Sequence, residues 1–459
     1  MADLSGYTPI YVRTTGNDTT GSGTSGSPYA TAQKAFDIAL AAASGNYVID
    51  LGVGSFGGVV LTGNWPSRIA VRGVSAAQSN LGNIFGTGAD ATGDESCEST
   101  TAAVALSVSI VGNKSATLGN ITLVGGDDPT TCGIGAANGG SVSLTDCVCG
   151  NISLTGGYNE SFSGSGGSVS LQGCAAGNIT AIAVDSILSY SGFTGGTVAL
   201  NQSQALNIVV SGSRGMDFGG DGGTVTLIQS QAGSITSNGG YSITASGDGG
   251  TVTISDSSTC GNISATGTTS DADGGTGGDV TVTASTSGNI DVSGGYGYNL
   301  AGNGGTVTLN QAQAGDIVSN GGQGYENPGD GGPVTVSNKS VCGSIDSNGG
   351  YGDYIGSGSG GDVVVNNSTV GNISSVGSSG GNNGGPGGTV AVADGVCGSI
   401  ICRETYGGVD PDAGAIHTGV VTLSGYTTIP NSIVVGDELI TTNLKKGRGI
   451  NGSSILGVF

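Results

Sequence analysis

Positive charge is scarce in this chain: 11 Lys and Arg stand against 33 Asp and Glu in 459 residues, a formal net charge of -22. Binding to nucleic acid or to an anionic membrane draws on clustered Lys and Arg, so neither is an expected partner. Histidine is scarcer still, with His417 its single occurrence. That leaves almost no material for His-based catalysis or a zinc site. Strong helix formers are few, and no apolar run is long enough to span a bilayer. Met1 to Pro9 contains neither a basic stretch nor an apolar one, so no secretory signal is read there. The expected setting is assembly in a cytoplasm, with release by lysis as the alternative.

Glycine is what the chain has in excess, 95 residues. Without a period such a composition reads as disorder. Here there is one. Gly-Gly pairs begin at Gly139, Gly166, Gly195, Gly222, Gly249, Gly277, Gly304, Gly331, Gly360 and Gly387, a spacing of 27 to 29 residues. A fixed period of that length marks a solenoid. After each pair comes a period-two stretch such as Thr224-Val225-Thr226-Leu227 or Thr306-Val307-Thr308-Leu309, the pattern of a strand with one buried face. About nine residues on, a Gly-Asn-Ile step or a close variant signals a second strand, as at Ile152, Ile179, Ile263 and Ile345. The rest of each coil, for example Ser237 to Gly250, is glycine-rich with no strand pattern.

The expected fold is therefore all-β: a single-chain parallel β-helix or solenoid of glycine-rich coils with a short N-terminal capping helix. Ten to thirteen coils at roughly 4.8 Å each would extend over about 50 to 60 Å. Residues 1–75 read as an N-terminal segment carrying the helix, 76–430 as the solenoid, and 431–459 as a C-terminal anchoring or assembly tail.

Thr31 has the character of an N-cap, and Ala32, Ala35, Phe36, Ala39 and Leu40 follow at helical spacing until Ser44-Gly45. A short amphipathic helix there would plug the open end of the solenoid, whose first coil otherwise exposes apolar residues and unpaired strand edge. Together with Tyr11-Val12-Arg13, Gly16-Asn17-Asp18, Gly26-Ser27-Pro28-Tyr29, Tyr47 to Leu51 and Gly54-Ser55-Phe56, this region, about residues 8 to 75, resembles the opening segment of pectate-lyase-like right-handed parallel β-helices. That segment recurs in phage tailspikes, virion fibres and some carbohydrate-active enzymes. The resemblance speaks to fold more than to activity, and by analogy with related spikes it implies a homotrimer.

Enzymatic members of that family place acid pairs, calcium-binding aspartates or a basic proton abstractor on one face. No such constellation stands out here, so no catalytic, metal-binding or cofactor-binding residue is assigned. The acid pairs Asp271/Asp273 and Asp410/Asp412 sit in Gly- and Pro-rich loops unsuited to holding two carboxylates at a fixed separation. The Gly-Asp-Gly-Gly runs at Gly220 to Gly223 and Gly247 to Gly250 lack the aspartate spacing of calcium-binding repeats. Cys149, Cys260, Cys342 and Cys397 occupy a slot filled elsewhere by Ala, Ser or Val, the mark of inert core thiols. Cys147 and Cys174 are one coil apart and within possible disulfide reach, although a cytoplasmic origin favours free thiols.

Surface arrays are the remaining candidates. Tyr158, Tyr241, Tyr296, Tyr298, Tyr325, Tyr351 and Tyr354 recur along the glycine-rich side, either packed on the next coil or presented to a sugar or protein partner. Ser and Thr pairs such as Ser141/Ser143, Ser168/Ser170, Thr224/Thr226 and Thr251/Thr253 form an outward hydroxyl ladder, broken at Ala199, Pro333, Asp362 and Ala391. The ladder resembles an ice-binding face, but a cross-strand ladder or a subunit contact fits the breaks better. The Asn-Ile-Ser/Thr sequons read as stacked asparagines rather than glycosylation sites. The C-terminal residues Lys445, Lys446, Arg448, Ile450, Leu456 and Phe459 are basic and apolar on an acidic chain, and resemble tails of structural proteins of marine viruses, cyanophages among them. The expected function is a non-catalytic virion fibre or adhesin of a bacteriophage. It would join other virion proteins and meet a host surface glycan or protein. A polysaccharide-degrading tailspike is the alternative, and a bacterial surface or ice-binding solenoid a third.

Overall fold

The structure, a computed structural model, describes residues 3–42, 44–93, 99–101, 103–112, 114–128, 136–159, 163–185, 191–354, 356–380, 384–403, 419–429, 432–435 and 438–440. It is an all-β parallel solenoid of about 12 turns, each near 28 residues, with one described helix. Asp410, Asp412, His417 and the candidate anchoring residues Lys445, Lys446, Arg448, Ile450, Leu456 and Phe459 lie outside the described residues. The chain falls into two units, Met1–Ser186 with Gly196–Val210 and Leu227–Gly233, and Ile187–Gly195 with Ser211–Thr226 and Ser234–Phe459.

The first unit opens with a parallel sheet of Thr8–Val12, Tyr47–Leu51 and Ile69–Arg72. The helix Ala32–Ala41 lies where the sequence places it, with Thr31 accepting a hydrogen bond from the Lys34 N–H. Ala32, Ala35, Phe36 and Ala39 are buried, while Leu40 is half-buried at the end of the apolar stripe. Phe36 packs on the fully buried Trp65, ring centroids 4.5 Å apart. Asp18 explains the Gly16-Asn17-Asp18 motif: its carboxylate accepts from the Ala30 N–H, the Thr31 N–H and the Thr31 hydroxyl, so it holds the cap itself. Beyond this segment, Val108, Val142, Val169 and Val198 stack as an inward column, each at most 1% exposed.

The second unit repeats the scheme without an N-terminal segment. Val252, Val280, Val307, Val334, Val363 and Val390 make one inward column. Ile263, Ile290, Ile317, Ile345, Ile373 and Ile400 make another on the second strands. Residues facing the other way on the first strands, such as Thr253, Thr281, Thr308 and Thr335, form an outward column in the same register. The parallel rule ends at Ile433–Val435, which pairs antiparallel with Glu438–Ile440.

The coils leave their first strands through one or two residues with left-handed backbone, among them Asp146, Gln202, Gln229, Ala284, Gln311, Asn367 and Asp394 at φ between 46° and 53°. A side chain there costs roughly 1 kcal/mol, which the coil accepts because the next residue must point inward. That next slot holds Cys147, Cys174, Ser203, Ser230, Ser258, Ser285, Ala312, Ser340 or Ser368, all buried. At several coils its hydroxyl accepts the backbone N–H of the same slot one coil earlier: Ser203 Oγ from Cys174, Ser285 Oγ from Ser258, Ser340 Oγ from Ala312.

The glycine-rich side, patternless in sequence, is regular in the structure. In the second unit two glycine stacks exchange hydrogen bonds in a zigzag: Gly240 donates to Gly220, Gly247 to Gly240, Gly295 to Gly275, Gly302 to Gly295, Gly322 to Gly302 and Gly329 to Gly322, at 2.7 to 3.0 Å. Successive coils of one stack approach so closely that a Cβ on Gly302 would sit 1.8 Å from the Gly275 carbonyl oxygen, and the stacks so closely that one on Gly294 would sit 2.0 Å from the Gly302 carbonyl oxygen. No residue but glycine fits there, so the composition follows from main chain packing on main chain.

Candidate functional site

The sequence-marked tyrosines of the second unit gather where the glycine-rich side turns back on itself. Parallel bridges Gly297 to Gly324 to Gly352 set their register. Tyr298, Tyr325 and Tyr354 stack ring on ring, with centroids 4.5 and 5.4 Å apart and planes 9° and 1° from parallel. These faces therefore cover one another. Tyr298 and Tyr354, at the two ends of the stack, are 45% and 53% exposed. Desolvation, then the neighbouring Tyr298 and Tyr354 hydroxyls and the Glu326 carboxylate, hold the Tyr325 pKa above its usual value.

A second column runs beside that stack. The bridge Ser242 to Ser270 and the hydrogen bond from Ser270 N–H to the Tyr296 carbonyl place Tyr241, Thr269, Tyr296, Gln323 and Tyr351 one above another. Tyrosine appears at alternate coils here. On the outer side of Tyr241 lies the Arg214 guanidinium, 5.2 Å from the ring centroid. Arg214 is one of the chain's few cations, and nothing in the sequence marks its seat on a tyrosine. Met216, Phe218, Ile243 and Leu300, all 43% exposed or more, extend the apolar character of this turn. Tyr158 belongs to the first unit, is 40% exposed, and joins neither column.

The other arrays resolve into structural ladders. Asn151 Oδ1 accepts the Asn178 N–H, and Asn262 Oδ1 the Asn289 N–H, so the sequon asparagines bond to the backbone of the following coil. The Thr253–Thr281–Thr308–Thr335 column is unbroken, but the neighbouring outward column contains Asp279 and Pro333. A flat face of paired hydroxyls is therefore incomplete.

The described cysteines are free thiols. Cys147 and Cys174 do stack, with the Cys147 N–H 3.2 Å from the Cys174 sulfur, and belong to the inward slot that serine fills in later coils. A hydrogen bond between the two and burial push the Cys147 thiol well up. Burial pushes Cys149, Cys260, Cys342 and Cys397 up to about 12. Cys260 is half-buried, more open than the inert-core reading implied.

Among the described residues no group of three His, Cys, Asp or Glu side chains converges on a point. Asp271 and Asp273 lie on the exposed turn. A shallow cleft in the first unit lined by Val71, Gly112, Lys114, Ala116, Leu118, Asp146 and Cys147 has a volume of about 10 Å³, room for about one water and far below the several hundred Å³ usual for a small-molecule site. No described helix is long and apolar enough to cross a membrane.

Fold and surface together define a parallel β-solenoid that displays side chains in axial columns. Comparison of the chain with family models, curated proteins and solved structures gives no match.

Proposed function

We propose that this protein is a non-catalytic fibre or adhesin of a bacteriophage particle, and that the tyrosine-bearing turn of the second unit is its attachment surface. The observation that carries the reading is the clustering of exposed aromatic and apolar side chains, Tyr296, Tyr298, Leu300, Tyr351 and Tyr354, on one turn of an acidic chain. Contiguous exposed apolar surface marks interaction sites. Tyrosine supplies contact area at low entropic cost. The solenoid fits the work mechanically, because each coil is held by its neighbours and the array can be long without a large core. Homotrimerisation, as in related spikes, would present three such turns at once.

Mass spectrometry of purified phage particles from lysates carrying this coding sequence is the direct test. Finding the chain in stoichiometric amount, and finding that purified protein blocks adsorption of those particles, are the expected results. Its absence from the particles would sink the reading. Release of reducing ends from host polysaccharide by the purified chain would replace it with the depolymerase alternative.

A further inference from the structure

We infer that the alternating column Tyr241–Thr269–Tyr296–Gln323–Tyr351 binds basic side chains of a partner protein, presented at every third residue of an extended segment. The inference rests on the attachment reading above and names the chemistry of that surface.

The described residues of this column contain one filled instance of the contact. Arg214 lies over the Tyr241 ring at 5.2 Å, within the range of a cation–π interaction. Further along the column, Tyr296 and Tyr351 recur at every second coil, 38% and 47% exposed, with the exposed Thr269 and Gln323 at the steps between. Two coil rises are about 9.6 Å. A planar guanidinium or an ammonium thus fits the step beside each ring as Arg214 fits beside Tyr241.

Charge selects the same class of ligand. The turn carries exposed Asp271 and Asp353 and half-buried Glu326. The chain as a whole is at -22. A second copy of this acidic turn would be repelled. Stacking of neutral sugar rings is disfavoured at the neighbouring column, where Tyr298, Tyr325 and Tyr354 already cover one another. An extended polyproline-type segment rises about 3.1 Å per residue, so basic residues at i and i+3 are about 9.3 Å apart, close to the two-coil spacing.

The test uses the full-length protein and a fluorescent proline-rich peptide with arginine at every third position. A peptide of the same composition with contiguous arginines serves as comparison, and anisotropy reads binding at low and high salt. We expect the spaced peptide to bind better than the contiguous one. The Tyr296→Ser/Tyr351→Ser double variant should lose about tenfold in affinity, whereas Tyr158→Ser should not, with circular dichroism showing the fold intact in both. Equal binding of the two peptides, or binding unchanged in the double variant, would mean that net charge alone attracts them and would overturn the inference. Absence of peptide binding by a chain that still blocks phage adsorption would overturn the ligand class and leave the attachment reading standing. A chain missing from the particles overturns that reading whatever the peptide does.

Discussion

A carboxylate at position 225 and one at position 226 should have opposite fates. Val225 is fully buried in a strand whose alternate residues face outward, and Thr226 is half-buried on the other face. Val225→Asp leaves an uncompensated charge among aliphatic side chains and should cost about 3–5 kcal/mol. Thr226→Asp should cost no more than about 1 kcal/mol. Urea melts of the two variants check this, and equal losses would contradict the inward and outward assignment. Cysteine gives a pH-dependent prediction at the same scale. In the folded chain burial holds Cys397 at about 12 and Cys402 at about 11, whereas an unfolded thiol ionises near 8.5. Between those limits the folded state keeps protons that the unfolded state gives up. These thiols therefore lower stability as pH climbs from about 8.5 towards 11–12. Cys397→Ala should flatten the alkaline fall in the urea midpoint relative to the parent. The described thiols should also resist alkylation at pH 8 until the chain is denatured, and all nine cysteines should be reduced by mass spectrometry in freshly assembled material.

At the scale of the element, two kinds of backbone position separate cleanly. The strand corner at Ala284 has φ 47°, where an L side chain is strained and glycine is not. Ala284→Gly should stabilise the chain by about 0.5–1 kcal/mol, since the gain there exceeds the entropy lost from a freer unfolded chain. The glycine stacks behave in the reverse sense. Gly302→Ala forces a methyl onto the Gly275 carbonyl of the preceding coil and disturbs a backbone that donates to Gly295 and accepts from Gly322. A loss of about 3 kcal/mol or more is expected, measured as a drop in unfolding midpoint. Hydrogen exchange should show the amides of Gly295, Gly302 and Gly322 losing protection together, because each donates to the opposite stack. If Gly302→Ala is neutral, neighbouring coils do not approach this closely along the stack.

For the whole molecule, stability is a sum of nearest-neighbour coil contacts, so distant segments can be removed without unfolding the array. Lys445 to Phe459 contributes three basic residues to an acidic chain and abandons the repeat. Deleting residues 445–459 is expected to leave a soluble, β-rich protein that no longer oligomerises or no longer joins its particle. Light scattering and particle incorporation measure the two outcomes. Normal assembly of the deletion, or failure to fold at all, would refute a docking role.

The period of the Gly-Gly pairs and the alternation of Thr with Val were enough to determine a parallel solenoid and its two inward columns, because those patterns are local and repeat in phase, and the Thr31 cap with the apolar spacing after it was enough for the helix. Val252, Val280 and Val307 could be aligned by counting, and the structure pairs them in that register. The glycine-rich side gave no such signal. Its order comes from hydrogen bonds between two backbone stacks of different parts of a coil, which carry no side-chain periodicity to read. The tyrosines were visible as a set, but their division into a closed stack and an alternating column depends on how many residues each coil spends before the turn. That register is set by bridges such as Gly297 to Gly324 and Gly324 to Gly352. The placement of Arg214 on Tyr241 is likewise tertiary, since it joins residues 27 apart through the closure of one coil.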